Sequence, residues 1–142
     1  YLYPFWPLLG GERALNERAA RLLADVNLES RRDVPAGLLS YAEQRALEIG
    51  ITIAGGADTI LLDEPTAGMS RSEADQAVAL IRRVTAGKTL AMVEPDMRVV
   101  SALADVVTVL VYGHVIASGP PAEIRASRAV QDAYLGAPAE IA

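Results

Sequence analysis

The sequence predicts an α/β fold, a mainly parallel sheet with helices on its faces, and three observations carry that reading. Short apolar runs alternate with segments whose apolar residues recur at helical spacing. Two Ser-x-x-Glu sequences, at Ser40 and Ser70, stand directly ahead of helical segments. Two of the apolar runs end in acidic residues, at the strand ends where sheets of this class present their ligands.

The elements follow in order. Residues 1–10 are rich in Pro, Gly and aromatics and are expected to form a loop. From Gly11 to Asn27, residues Leu15, Ala19, Leu22, Leu23 and Val26 have helical spacing, and Asp33-Val34-Pro35-Ala36-Gly37 is a connection. Ser40-Tyr41-Ala42-Glu43 has the form of a capping box, in which the serine hydroxyl accepts an early helix N–H and the glutamate reaches back to the cap. The helix is expected to run to about Ala54 and to stop at Gly55-Gly56. Ile60-Leu61-Leu62 reads as a strand buried on both faces, running into Asp63-Glu64-Pro65.

Ser70-Arg71-Ser72-Glu73 is a second capping box. Its helix carries Ala74, Ala77, Val78, Ile81 and Val84 on one face and closes at Gly87. Residues 89–93 are a second buried strand, Asp96 caps a short helix with Val99, Val100 and Leu103, and residues 106–112 are a third strand. Gly113-His114 turns the chain into a fourth strand, residues 115–117, ended by Gly119-Pro120-Pro121. Two short helices, residues 122–126 and 128–135, complete the order. Strand ends of successive βα units share an edge, so Asp63, Glu64 and Pro95 are expected close together.

Composition narrows the function. The chain has 142 residues, half of them apolar and about a fifth charged, as in one globular domain. A net charge of −5 without a basic stripe counts against nucleic acid as partner. The adjacent arginines, Arg31-Arg32 and Arg82-Arg83, read as solvated helix faces. With no cysteine there is no disulfide or thiol chemistry, which is compatible with the cytosol, and a lone histidine makes no zinc site. His114 reads as an exposed hairpin residue rather than a catalytic one. No apolar run is long enough to cross a bilayer. Tyr1-Leu2-Tyr3-Pro4-Phe5-Trp6-Pro7 lacks the basic start and long apolar middle of a secretory signal. An opening this apolar reads as cut from a longer protein, with Phe5 and Trp6 either a partner surface or a segment packed on that protein's other parts.

Asp63 and Glu64 are the first candidates for chemistry. A strand that delivers two adjacent carboxylates to the ligand edge offers one to a magnesium ion and one to polarise a water for attack on phosphate. A strand running into an acidic turn is the equally available structural reading.

The surrounding residues resemble ABC-type ATPases. Leu39-Ser40-Tyr41-Ala42-Glu43-Gln44-Arg45 resembles the ABC signature at the start of its helix, and residues 60–64 resemble the Walker B strand. Thr66-Ala67-Gly68-Met69-Ser70 resembles the loop that crosses the nucleotide dimer interface, and Glu94-Pro95-Asp96-Met97 stands in the place of the switch-histidine loop. The aromatic after Ser40, the following Glu-Gln-Arg and the ending around residues 122–136 are similar to branched-chain amino-acid and related amide or urea importers. The resemblance implies a partial P-loop NTPase-like core over residues 40–142, preceded by the end of a helical subdomain over residues 1–39. It implies ATP and Mg²⁺ as cofactors, a second ATP-binding subunit and transmembrane permease subunits as partners, and a peripheral place on the cytoplasmic side of the cell membrane.

The resemblance also assigns roles. Asp63 matches the magnesium-associated carboxylate and Glu64 the general base. Ser40, Tyr41, Ala42 and Glu43 match the helix start that meets the γ-phosphate of ATP held by the partner subunit. Gly68 and Ser70 match the interface-crossing loop, and Pro95 the switch position. Three departures stand out. No G-x-x-x-x-G-K-[ST] occurs, so the main phosphate cradle and the glutamine loop are expected upstream of Tyr1. Ala42 stands where the signature has Gly, and its Cβ crowds a phosphate-facing backbone. Pro95 stands where the family has its switch His and has neither an N–H nor a side-chain donor. The chain alone is therefore expected to be inactive. Two alternatives stay open: a degenerate, non-hydrolytic subunit acting through dimerisation and coupling, and a soluble ABC ATPase outside transport.

Overall fold

The computed structural model describes residues 13–134, arranged as two compact units, one ending at Val93 and the other beginning at Glu94. The expected loop over residues 1–10, with Phe5 and Trp6, lies outside the described residues, as do Gly11, Leu135 and Gly136.

The first unit begins with α1 (Arg13–Asp25). Asn27 takes a left-handed φ of 60°, the amide of Leu28 returns to the carbonyl of Leu23, and that of Asn27 to Ala24. This is a Schellman ending with Asn in place of Gly, and Leu28 is buried beneath it. Two 3₁₀ turns, Glu29–Arg31 and Ala36–Leu38, fill the connection to α2 (Tyr41–Ala54). Gly50 sets how close α2 comes to the end of α1, because a Cβ built there would stand 3.2 Å from Val26 Cγ1. The strand β1 (Thr59–Asp63), helix α3 (Arg71–Val84) and strand β2 (Thr89–Val93) form a βαβ unit whose strands pair in parallel, Thr59 with Thr89 through Asp63 with Val93. Both capping boxes form as expected, with reciprocal bonds at Ser40–Glu43 and Ser70–Glu73. The face of α3 that packs inward is Ala74, Ala77, Leu80 and Ile81. Leu80 replaces the expected Val78 and Val84 there, since packing against α2 rotates the buried stripe.

One expectation fails. The run Ile60-Leu61-Leu62 is expected to be buried on both faces, yet Ile60 is 1% exposed and Leu61 73% exposed. Likewise Val93 in β2 is exposed. A continuous apolar run marks what a strand is suited to bury, and a face is dry only where something covers it.

The second unit holds α4 (Met97–Leu103), the strands β3 (Val107–Val111) and β4 (His114–Gly119), and helices α5 (Pro121–Ala126) and α6 (Arg128–Tyr134). Its core is Val99, Val100, Val107, Ile124 and Val130. Strands β3 and β4 are antiparallel and make a sheet of their own, so the parallel pairing among the described residues is that of β1 with β2. The turn is Tyr112-Gly113 rather than Gly113-His114: both have positive φ, 48° and 81°, and Val111 pairs with His114. Two successive positive φ values define the mirror-image turn that matches strand twist in two-residue hairpins. His114 opens β4 and is exposed, as expected. Ile116 is an extra residue opposite the Val109–Leu110 step, a β-bulge.

Candidate functional site

Three stretches of the first unit carry the candidate residues: the start of α2, the end of β1 and the loop that follows it. At the start of α2, Ser40 sits in extended conformation, its Oγ accepts the Glu43 amide and its own amide donates to Glu43 Oε2 at 2.8 Å. Glu43 Oε1 also accepts from Arg31 Nε at 2.7 Å, so Arg31 is an ion-pair partner and not merely a solvated face. The Ser40 N–H, and after it Arg31, hold the Glu43 carboxyl below its usual range. This arrangement fixes the first turn while Ser40 remains exposed. A helix start of this kind presents N–H groups and the positive end of the helix dipole.

At the end of β1, Asp63 pairs with Val93 in the last rung of the ladder. Glu64 then turns left-handed at φ 43°, and its amide donates to the Val93 carbonyl at 2.8 Å. A left-handed non-glycine residue costs roughly 1–2 kcal/mol, and here the extra ladder bond helps hold it. Asp63 and Glu64 are both exposed, and among the described residues neither carboxylate is engaged in a hydrogen bond or ion pair. Asp63 suits a magnesium ion, which takes one or two carboxylates and fills its remaining positions with water and phosphate oxygens. Among the described residues no three His, Cys, Asp or Glu side chains come together as a metal-binding group.

Pro65 and Thr66 are buried and anchor the loop, which closes with Ala67 N–H to Glu64 O and Met69 N–H to Thr66 O. Gly68 has φ 74°, as only glycine does readily. A Cβ built on it would lie 3.5 Å from Tyr41 Cε1, so this loop passes near the start of α2. Tyr41 in turn accepts from Arg45 Nη2 at 3.0 Å and Nε at 3.2 Å, with the guanidinium 5.3 Å from its ring centre. Ser70 ends the loop as the cap of α3, and Ser70 Oγ holds the Glu73 carboxyl below its usual range. Ala42 lies half-buried in the first turn of α2.

Pro95 belongs to the second unit, two residues beyond the end of β2, and is exposed. Its carbonyl accepts from the Tyr134 hydroxyl at 2.9 Å. Asp96 caps α4 through Arg98 N–H at 2.8 Å and pairs with the Arg98 guanidinium at 2.7 Å, which lowers its carboxyl. Thus Ser40, Tyr41, Glu43, Asp63, Glu64, Gly68 and Ser70 come from contiguous parts of one unit, and Pro95 is described with the other. Sequence reasoning did not find Arg31, Arg45 or Tyr134. Only Arg45 carried a local signal, its i+4 spacing from Tyr41.

The comparisons agree on one family. Residues 114–141 match a family profile described as "Branched-chain amino acid ATP-binding cassette transporter". The chain is 37% identical over 127 residues to the high-affinity branched-chain amino acid transport ATP-binding protein BraF of Pseudomonas aeruginosa, covering 88% of this chain and 50% of that protein. It is 34% identical over 123 residues to the corresponding LivG protein of Salmonella typhimurium, covering 84% of this chain and 48% of that one. It superposes with a TM-score of 0.80 and 26% identity on an ATP-binding cassette of an ABC transporter in its ADP conformation, covering 88% of this chain and 51% of that cassette. The chain spans about half the length of the curated relatives it matches. The chain is therefore similar to the C-terminal part of ATP-binding subunits of ABC transporters, those of the branched-chain amino-acid group among them.

Proposed function

We propose that this chain provides the C-terminal half of the ATP-binding subunit of an ABC importer, coupling ATP binding and hydrolysis to uptake of branched-chain amino acids or related amides. One observation carries the reading: the Ser40-capped start of α2 lies near the Gly68 loop, which leaves directly from Asp63 and Glu64. In this reading Ser40, Tyr41, Ala42 and Glu43 form the helix start that faces ATP on a second subunit, with Gly68 and Ser70 lining the same interface. Asp63 holds Mg²⁺ beside the phosphates, Glu64 polarises the attacking water, and Pro95 occupies the switch position. Residues 1–39 end a helical subdomain and residues 40–142 are the signature helix and the second half of the core. The partners are a second ATP-binding subunit and transmembrane permease subunits, at the cytoplasmic side of the membrane. No described helix is long and apolar enough to cross a membrane.

A second reading, a non-hydrolytic subunit that serves dimerisation and coupling, is favoured by one feature. Pro95 has no donor, and its carbonyl is taken by Tyr134. A soluble ABC ATPase outside transport is disfavoured by the transporter-family match over residues 114–141.

The test joins this chain behind the N-terminal half of the Pseudomonas relative, where the resemblance places the Gly-rich loop. The fusion is expected to bind Mg-ATP and release phosphate, while the chain alone shows no saturation at about millimolar nucleotide, because the phosphate cradle makes most of the direct contacts. Binding without hydrolysis favours the second reading. Submillimolar binding by the chain alone refutes the assignment of the cradle to the upstream half.

A further inference from the structure

The two capping boxes have the same bonds and different surroundings. At each, the serine amide donates to a glutamate Oε2 at 2.8 Å. The glutamate amide returns to the serine Oγ, at 3.3 Å for Ser40 and 3.4 Å for Ser70. Of the two glutamates, Glu43 has an ion pair among the described residues and Glu73 has none: Glu43 Oε1 accepts from Arg31 Nε at 2.7 Å. Arg31 ends the 3₁₀ turn Glu29–Arg31, and its own amide donates to the carbonyl of the buried Leu28 at 2.9 Å. Further along, Gln44 Nε2 donates to the carbonyl of Leu39, also buried, at 3.0 Å. The start of α2 therefore bonds back to the connection after α1 at two points.

We propose that Arg31 is a positioning residue that acts on Ser40 through Glu43, so that the connection after α1 sets where the Ser40 hydroxyl points. The bond lengths decide which contacts matter. The Glu43 amide reaches Ser40 Oγ at the long end of the range and holds the hydroxyl weakly, whereas both bonds to the carboxylate are short and charge-assisted. A carboxylate accepts on both oxygens, so it satisfies the Arg31 guanidinium and the Ser40 amide at once. Arg31 is half exposed, so the pair adds little to global stability and its effect is local. Accepting the Glu43 amide leaves the Ser40 hydroxyl proton to donate outward. Under the nucleotide reading above, on which this consequence rests, that proton faces a phosphate oxygen on the second subunit.

The experiment is amide solvent exchange, followed by NMR at neutral pH, on the 142-residue chain without nucleotide. The Ser40 amide is the readout, and the Ser70 amide is the internal reference. Arg31→Met is expected to speed exchange at Ser40 by about three- to fivefold and to leave Ser70 within about 1.5-fold. Arg31→Lys is expected to stay within about twofold of the original, and Arg32→Met, which removes the adjacent charge, to match the original. Glu43→Gln leaves one acceptor for two donors, so Arg31→Met is expected to add less than about 1.5-fold in that background. Unchanged Ser40 exchange in Arg31→Met, equal acceleration at Ser70, or full additivity with Glu43→Gln overturns the tie. The fusion described above supplies the second arm. There Arg31→Met is expected to lower kcat for phosphate release about fivefold with KM within about twofold, because the upstream cradle makes most of the nucleotide contacts. Arg31→Lys is expected to restore kcat. Faster Ser40 exchange with unaltered kcat overturns the functional consequence. A fusion that never hydrolyses ATP, combined with the expected exchange pattern, overturns the hydrolytic reading of the site and leaves the tie between Arg31 and Ser40 standing.

Discussion

Two parallel strands of this chain end in acidic, proline-containing turns, and the turns use their carboxylates in opposite ways. β1 ends on Asp63 and continues as Glu64-Pro65-Thr66, and β2 ends on Val93 and continues as Glu94-Pro95-Asp96. At the first, Glu64 bends left-handed, its amide extends the ladder, and both carboxylates point to solvent without a protein partner among the described residues. At the second, Glu94 Oε1 accepts the Asp96 amide at 3.2 Å and Asp96 caps α4. The place of the aspartate accounts for much of the difference. Proline stands two residues beyond the strand in both turns, but the aspartate of the first is the last strand residue, whereas Asp96 follows its proline and there caps α4. One turn keeps its acids available to a ligand, and the other uses them to start a helix.

The sharpest way to break this comparison is to exchange the acids for amides in the fusion. Glu64→Gln is expected to lower phosphate release about a thousandfold, since an amide neither takes a proton nor polarises water as a carboxylate does. Glu94→Gln is expected to leave it within about threefold, because that carboxylate serves the turn. The reverse ranking, in steady-state phosphate release, would place the chemistry at the wrong strand end in this account.

The next effect is smaller. Pro95→His restores a side chain able to reach a γ-phosphate and is expected to raise hydrolysis about tenfold, or roughly 1.4 kcal/mol of barrier. Ala42 still crowds the trans-acting helix start, which limits the gain. Fast hydrolysis by the original sequence, unaltered by the substitution, would show that another residue carries the switch.

Stability separates the two turns in the opposite sense. Asp96→Ala removes the cap of α4 and is expected to cost about 1 kcal/mol in urea unfolding. Asp63→Ala removes an exposed carboxylate with no protein partner and is expected to change stability by less than about 0.5 kcal/mol. Equal losses would mean that Asp63 also serves the fold.

The smallest effect is that of pH. The carboxyls of Glu43, Glu73 and Asp96 are held below their usual values, the first two by their serine caps and the last by the Arg98 amide. A lowered folded-state value means that this stabilisation is complete above the unfolded values, about 3.9 for Asp and 4.3 for Glu, and fades as pH falls through the folded ones. Thermal unfolding is therefore expected to hold steady near neutrality and to drop progressively in acid below about pH 4. In Asp96→Ala, the part due to α4 should disappear from that acid limb.

What the sequence determined by itself was whatever depends on residues a few positions apart. Ser40 with Glu43, Ser70 with Glu73 and Asp96 with the next amides lie within one helical turn, so their bonds form wherever the helix does. The order of helices and strands, and the delivery of Asp63 and Glu64 to a strand end, follow from local periodicity in the same way. The hairpin was legible to within one residue. Gly113 announced a turn, but the two left-handed positions fell on Tyr112 and Gly113, because register across β3 and β4 selects them.

Tertiary structure decided what depends on distant partners. Leu61 is as apolar as Ile60, yet one is exposed and the other buried, since burial belongs to the covering element and not to the strand. Arg31 on Glu43, Arg83 on the carbonyl of Asp25 and on Asn27 Oδ1, and Tyr134 on the Pro95 carbonyl each join separate segments. The residue types were in view throughout. Their pairing was not, because a contact between segments is fixed by how helices pack on the sheet, and no spacing along the chain encodes that distance.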